Sequence, residues 1–266
     1  MLDYHMHTFF SPDGKMTMEE ACKKAMSVGL KEIAFTDHMD MNLPENKNAF
    51  QIKDMDQYIQ SIASVREKYK GKLSVKTGIE IGLQDRTLEA AASLVRSYPF
   101  DFVIASLHLV DGLDPYRPEY YKGRDKLKSY TVYYQKIYDL LRQYDDYCVL
   151  GHLDYVRRYM PYPYAPEDYK IGMEIIDSIL KLLVERGKGL ELNTAGCKHS
   201  SRQPHPHPAI LKRYRDLGGE IVTIGSDAHA VNDVGYENRR ALEWLKQAGF
   251  DYVTFFTDRQ PKFVKI

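Results

Sequence analysis

Apolar positions along the chain repeat with two periods. Seven short runs rich in β-branched and aromatic residues cover 2–8, 32–38, 74–82, 102–110, 147–155, 189–195 and 221–229, and these read as strands. Helical spacing fills the gaps between them. Met18, Ala21, Cys22, Ala25 and Met26 form one stripe, opened by the capping box Thr17-x-x-Glu20 and closed at Gly29. Leu127, Tyr130, Tyr134, Ile137, Leu141 and Tyr144 form a second, and Ile175, Ile176, Ile179 and Leu183 a third. A last helix over 242–249 precedes a strand-like stretch at 252–256.

Strand and helix alternating every ~30 to 40 residues is the signature of parallel βα units. An open nucleotide-binding sheet would carry Gly-x-Gly-x-x-Gly or Gly-x-x-x-x-Gly-Lys-Ser/Thr after its first strand, and neither occurs. The pattern therefore predicts an α/β fold closed as a TIM-like barrel of seven or eight strands, with its chemistry at the carboxyl ends of the strands. At 266 residues and 44% apolar content, with no linker, repeat or compositional break, the chain reads as one domain over 1–266.

Charge and cysteine content narrow the chemistry. Lys+Arg and Asp+Glu both number 37, so the chain has no basic footprint and nucleic acid is an unfavoured partner. No apolar run is long enough for a membrane span and no secretory signal opens the sequence, which predicts a cytoplasmic protein. Cys22, Cys148 and Cys197 form no CxxC pair, so any metal must be held by nitrogen and oxygen.

Those atoms are plentiful where a barrel would use them. His5 and His7 close the first run, Asp37 and His38 the second, Glu80 the third, His108 the fourth, His152 the fifth, and Asp227 and His229 the seventh, with Asp13 in the first loop. Asp37 reads more readily as a helix cap than as a ligand. In His5-Met6-His7 and Asp227-Ala228-His229 the i, i+2 spacing of an extended strand aims both side chains the same way. Six imidazoles and three carboxylates crowded together without ions would leave buried polar groups unpaired at about 1 to 3 kcal/mol each. Divalent ions remove that cost. Nine nitrogen and oxygen ligands exceed one tetrahedral site, so two or three ions of zinc, iron or manganese type are expected.

Taken together, His5-Met-His7-Thr8-x-x-Ser11-x-Asp13-Gly14, Thr36-Asp37-His38, Gly78-Ile-Glu80, Ser106-Leu-His108, Gly151-His152-Leu-Asp154 and Gly225-Ser226-Asp227-Ala-His229 resemble the polymerase and histidinol phosphatase (PHP) superfamily. The motifs span nearly the whole chain in order, and Gly151-His152-Leu-Asp154 followed by Arg157-Arg158 is most similar to the histidinol-phosphatase branch. The resemblance implies a distorted seven-stranded β/α barrel with a trinuclear centre. It assigns His5, His7, Glu80 and Asp227 to a first ion, Glu80 with His108 and His152 to a second, and Asp13, His38 and His229 to a third. Some relatives carry histidine in place of Asp13.

The implied activity is phosphomonoester hydrolysis, with L-histidinol phosphate as first choice of substrate and histidine biosynthesis as its setting. Three ions against three carboxylates would leave the site cationic and attractive to a small phosphate ester. Asp13 or His229 could donate the leaving-group proton, or, since both are implied as ligands, a metal-bound water could serve instead. Arg117, Arg157, Arg158 and Arg202 are candidates for a phosphate clamp; similar positions in the family favour Arg158 and Arg202, with Arg157 a rival. His199, His205 and His207 lie in a proline-rich segment expected to form a stiff loop at the entrance, with His207 a candidate substrate contact. Asn193 reads either as a ligand-orienting or as a turn residue. Loop tyrosines 116, 120, 121, 159, 162 and 164 should surround the mouth, a few of them against the substrate's ring. The competing readings are a nucleotide or nucleic-acid phosphoesterase of the same superfamily and a catalytically silent metal-binding domain.

Overall fold

The computed structural model describes residues 1–41 and 50–266. Seven parallel strands follow one another around a nearly closed barrel. β1 (Leu2–Asp3) pairs with β2 (Glu32–Phe35), which pairs with β4 (Ser74–Gly82), then β5 (Phe102–Ser106), β6 (Val149–Leu150), β7 (Gly189–Asn193) and β8 (Val222–Gly225). β3 (His38–Met39) continues the line of β2 and also pairs with β4. Hydrogen bonds from Tyr4 N to Ile224 O, Asp227 N to His5 O and His7 N to Ala228 O, each 2.8 Å, join the first strand to the last.

Helices α1 (Met18–Ser27), α2 (Met55–Lys68), α3 (Leu88–Ser97), α4 (Lys126–Leu141), α5 (Met173–Glu185), α6 (Pro208–Asp216) and α7 (Asn238–Gln247) connect the strands. The expected capping box forms, since Thr17 accepts from Glu20 N and Glu20 accepts from Thr17 N. Gly29 ends the turn in the left-handed region that a side chain would resist. In α4 the predicted stripe holds for Tyr130, Tyr134, Ile137 and Leu141, but Leu127 is exposed. It lies in the first turn, where Asp125 caps the helix before it reaches the barrel.

The strand expected at 252–256 is β9 (Tyr252–Thr257). The sequence reading had no partner for it, but β10 (Gln260–Lys265) folds back on it as an antiparallel hairpin. This hairpin covers the amino-terminal end of the barrel. Phe256 packs on Phe102 at 5.1 Å between ring centroids, and the backbone of residues 258 and 259 bonds to Asp101.

Most of the predicted strands end early at the carboxyl side. The run at 2–8 keeps regular pairing only at Leu2–Asp3 plus a lone bridge from Met6 to Ala228. The run at 147–155 keeps two residues before a 3-10 turn at Tyr155–Tyr159. The cause is local: ladder groups are replaced by side-chain bonds, as where Met6 N donates to Thr36 Oγ1 at 3.0 Å and Thr8 N to Asp37 Oδ1 at 2.7 Å.

Candidate metal centre

The frayed strand ends bring the chemistry-bearing side chains together. Glu80, two residues before the carboxyl end of β4 and fully buried, is the hub. Its Oε2 lies 3.3 Å from His5 Nε2, 3.6 Å from His7 Nε2 and 2.8 Å from His38 Nδ1. Its Oε1 lies 3.4 Å from His108 Nε2 and 3.0 Å from His152 Nε2, and accepts from Ser106 Oγ at 2.6 Å. Asp227 Oδ1 stands 3.8 Å from His5 Nε2 and 3.4 Å from His7 Nε2. At the rim, Asp13 Oδ2 is 3.1 Å from His229 Nε2 and 3.8 Å from His38 Nε2. All nine predicted ligand side chains thus converge.

His5 and His7 flank Met6 with ring centroids 5.0 Å apart, as the pleat predicts. Asp227 and His229 do not meet by pleating, because β8 has already ended at Gly225. Asp227 takes a left-handed backbone, φ 53°, and it is this turn that aims both residues at the cluster. Asp37 caps no helix: it accepts from Thr8 N, Thr8 Oγ1 and Ser11 Oγ, fixing the loop that carries Asp13.

Hydrogen bonds behind the rings fix which nitrogen faces inward. Ser11 Oγ gives its one proton to Asp37, so it can only accept from His7 Nδ1, 3.3 Å away. Asp40 can only accept, and its oxygens lie 3.0 and 3.1 Å from His108 Nδ1. The carbonyl of Asp227 accepts from His229 Nδ1 at 3.0 Å, and Glu191 Oε1 lies 2.6 Å from His5 Nδ1. Each of these four rings can then turn a bare Nε2 toward the carboxylates, the form a metal ligand requires.

The cluster suits divalent ions on its own geometry. His5 Nε2, His7 Nε2 and Glu80 Oε2 are buried without hydrogen-bond partners. The imidazole–carboxylate separations of 3.3 to 3.8 Å around His5, His7, Glu80 and Asp227 match the edges of about 3.4 Å in a tetrahedron with ligand bonds of about 2.1 Å. Charge tells the same story. Burial disfavours ionisation of Glu80, but His5, His108 and His38 outweigh it and hold the carboxyl well below its usual range. Burial likewise pushes His5 toward neutrality, but Glu191, Glu80 and Asp227 leave it well above. His7 goes the other way, lowered by burial and by His38 and His229.

Two carboxylates were missed from sequence. Asp40 backs His108 and also sits with His38 and His108 as a possible ligand group. It stands two residues beyond His38, so the same i, i+2 rule would have found it. Glu191 is a carboxylate at the centre of a fully buried strand, between Leu190 and Leu192, which is itself a signal. With both present, the excess positive charge expected from three ions falls by two.

A cavity of about 550 Å³ opens over the cluster, walled by Phe50, Leu109, Asp114, Tyr116, Arg117, Tyr155, Arg158 and Tyr159. Arg158 donates to Asp227 Oδ2 at 3.1 Å and lies 5.0 Å from the Tyr155 ring. Burial opposes its charge, but Asp227 holds the pKa above the ordinary guanidinium value. Arg117 is exposed beside Tyr116. The other candidates lie elsewhere. Arg157 turns into the protein, 3.1 Å from Asp154 Oδ2. Arg202 is exposed and outside the cavity lining. His207 caps α6 by accepting from Ala209 N at 3.2 Å and stacks on Tyr169, away from the cavity. The proline-rich segment is split: His199 packs on Tyr159 of the cavity wall at 5.7 Å between ring centroids, while His205 is buried, its ring paired with Asp154 and its backbone bridged to Asn193. Asn193 ends β7 and caps the turn that follows, its Oδ1 accepting from Ala195 N at 3.1 Å while its Nδ2 faces Glu191. Of the loop tyrosines, 120 and 121 are buried, while 116 and 159 line the cavity together with Tyr155. Among the described residues no helix is long and apolar enough to cross a membrane.

A parallel barrel with imidazoles and carboxylates gathered at its carboxyl end defines a class, and residues 3–195 match the family model of the PHP domain. The chain belongs to the PHP family. Among curated relatives, a probable histidinol-phosphatase of Clostridium acetobutylicum is 34% identical over 263 residues, covering 99% of both chains. The histidinol-phosphatase of Lactococcus lactis is 30% identical, covering 99% of this chain and 98% of the relative. The crystal structure of histidinol phosphate phosphatase from Lactococcus lactis, complexed with zinc, L-histidinol and phosphate, aligns at 30% identity with a TM-score of 0.89 over 98% of each chain. A putative histidinol phosphatase structure from Listeria monocytogenes, 20% identical, shares the fold with a TM-score of 0.81 over 90% of this chain and 99% of that one.

Proposed function

We propose that the whole chain, 1–266, is one metal-dependent phosphomonoesterase domain that hydrolyses L-histidinol phosphate to L-histidinol and phosphate. The observation that carries this reading is the convergence of six imidazoles and the Glu80 hub beneath a small cavity, in a chain that aligns end to end with a phosphatase whose crystals hold zinc, histidinol and phosphate.

His5, His7, Glu80 and Asp227 would hold one ion, Glu80 with His108 and His152 a second, and Asp13, His38 and His229 a third. Bound there, zinc or a similar ion lowers the pKa of water toward ~7 and offsets charge on the phosphoryl group. Arg158, charged and reaching from the wall to Asp227, is positioned to bind phosphoryl oxygens in a fork, with Arg117 closing from the rim. Tyr116, Tyr155 and Tyr159 offer flat faces for the imidazole end of the substrate. Asp13 and His229, 3.1 Å apart and 39% and 30% exposed, reach the rim; without an ion between them they could pass a proton to a leaving alkoxide, whereas as ligands of the third ion they leave that step to water. A cytoplasmic location belongs to this reading, in which the buried thiols of Cys22, Cys148 and Cys197 stay free.

The test is phosphate release from L-histidinol phosphate, thymidine monophosphate esters and oligonucleotides with zinc, manganese or iron supplied. A kcat/KM for histidinol phosphate at least 100-fold above the others supports the reading. Preference for a nucleotide ester or oligonucleotide replaces the substrate, and inactivity toward all of them would mark a silent metal-binding domain.

A further inference from the structure

One buried carboxylate has no part in the reading above. Glu191, at the centre of β7 and 1% exposed, is not among the ligand sets, yet it reaches two of them. Its Oε1 lies 2.6 Å from His5 Nδ1, and its Oε2 accepts the backbone N–H of His152 at 2.8 Å. Asn193 Nδ2 approaches both oxygens, at 3.3 and 3.4 Å. The fold makes room for it: a Cβ on Gly225 would stand 2.3 Å from Glu191 Oε1.

We propose that Glu191 is the positioning residue of the metal centre, holding His5 with its proton on Nδ1 and pinning the His152 backbone, so that one side chain aligns ligands of both clusters that share Glu80. The inference rests on the phosphoesterase reading. Its logic is donor–acceptor arithmetic. A carboxylate accepts at both oxygens and donates at neither, so it forces the proton of a neutral His5 onto Nδ1 and leaves Nε2 bare toward Glu80 and Asp227. An amide of the same shape accepts at only one atom. In Glu191→Gln, either His5 faces an NH2 group and must carry its proton on Nε2, where it blocks ligation, or the His152 N–H faces that NH2 group and its strand end shifts.

Zinc affinity of Glu191→Gln, measured by competition with a chromophoric chelator, should fall about 10- to 100-fold. Activity should be regained at raised zinc with KM for the phosphate ester unchanged, a rescue that a merely structural lesion would not show. A variant that binds zinc within twofold of wild type overturns the role. So does a loss of activity that excess zinc does not restore. Should the variant fail to fold, nitrogen-15 NMR of histidine-labelled, zinc-loaded wild type decides. A protonated Nδ1 on His5 with a strongly deshielded proton is expected; ligation through Nδ1 overturns the role. A wild type that binds no zinc sinks the phosphoesterase reading itself, whereas a zinc-binding wild type with an indifferent variant sinks only Glu191.

Discussion

Replacing Glu80 by glutamine should empty two ion sites at once. The substitution keeps the shape of the side chain but removes its charge and puts an NH2 group on one side. Oε2 faces His5, His7 and His38 at 2.8 to 3.6 Å, and Oε1 faces His108 and His152 at 3.0 to 3.4 Å, so whichever position the NH2 group takes, one set faces a donor and the other a neutral amide oxygen without the carboxylate's charge. Removing one partner of a buried charged pair costs about 3 to 5 kcal/mol, or roughly 10²- to 10⁴-fold in an equilibrium constant. Zinc bound at nanomolar free metal would then be lost from both sets. The assay is elemental analysis after dialysis against a zinc buffer, with circular dichroism to confirm the fold. Unchanged zinc content, or loss of one ion with the other retained, would refute the shared hub.

Arg158→Ala should raise KM for the phosphate ester about 10- to 100-fold, the worth of one or two charged hydrogen bonds, while zinc content stays at the wild-type level. An unaltered KM moves the phosphate contact to Arg117. Gly82→Ala would place a Cβ 1.2 Å from Asp40 Oδ1, evicting Asp40 from His108. Thermal denaturation should show a loss of about 1 to 3 kcal/mol from overpacking and an unpaired buried group, and an unchanged melting temperature would contradict that contact. His5 and His108 are held above their ordinary pKa by neighbouring carboxylates, despite burial that opposes the charge. In the metal-free protein both favour the protonated form more than a free imidazole does, and a ligand nitrogen cannot keep its proton, so zinc uptake should release protons, fewer as pH rises. An indicator titration without proton release would contradict this.

The barrel was legible because its strands alternate with helices at even spacing, and the clustered side chains because histidine and acid fall at the ends of six of the seven runs. Asp227 and His229 were assigned correctly to one side for the wrong reason: a left-handed turn does what pleating was expected to do. Asp40 and Glu191 carry local signals in the sequence, but their partners were not legible, since they act through bonds to His108 and His5 across 68 and 186 residues of chain. The arginines illustrate the same limit. Arg157 and Arg158 are adjacent in sequence, but a 3-10 turn sends one to Asp154 in the interior and the other to Asp227 at the cavity. Periodicity predicts which element forms, while the direction of a side chain on an irregular turn depends on partners far away in the chain. The hairpin of β9 and β10 escaped for a different reason: Gln260–Lys265 is mostly exposed and has no apolar alternation to reveal it.

Zinc-edge anomalous diffraction from crystals of the wild-type protein tests the metal centre most directly. Peaks within about 2.0 to 2.2 Å of His5 Nε2, His7 Nε2, Glu80 and Asp227, and again between Glu80, His108 and His152, are predicted. An absence of peaks at Glu80 under saturating zinc, or peaks only at surface side chains, would contradict it.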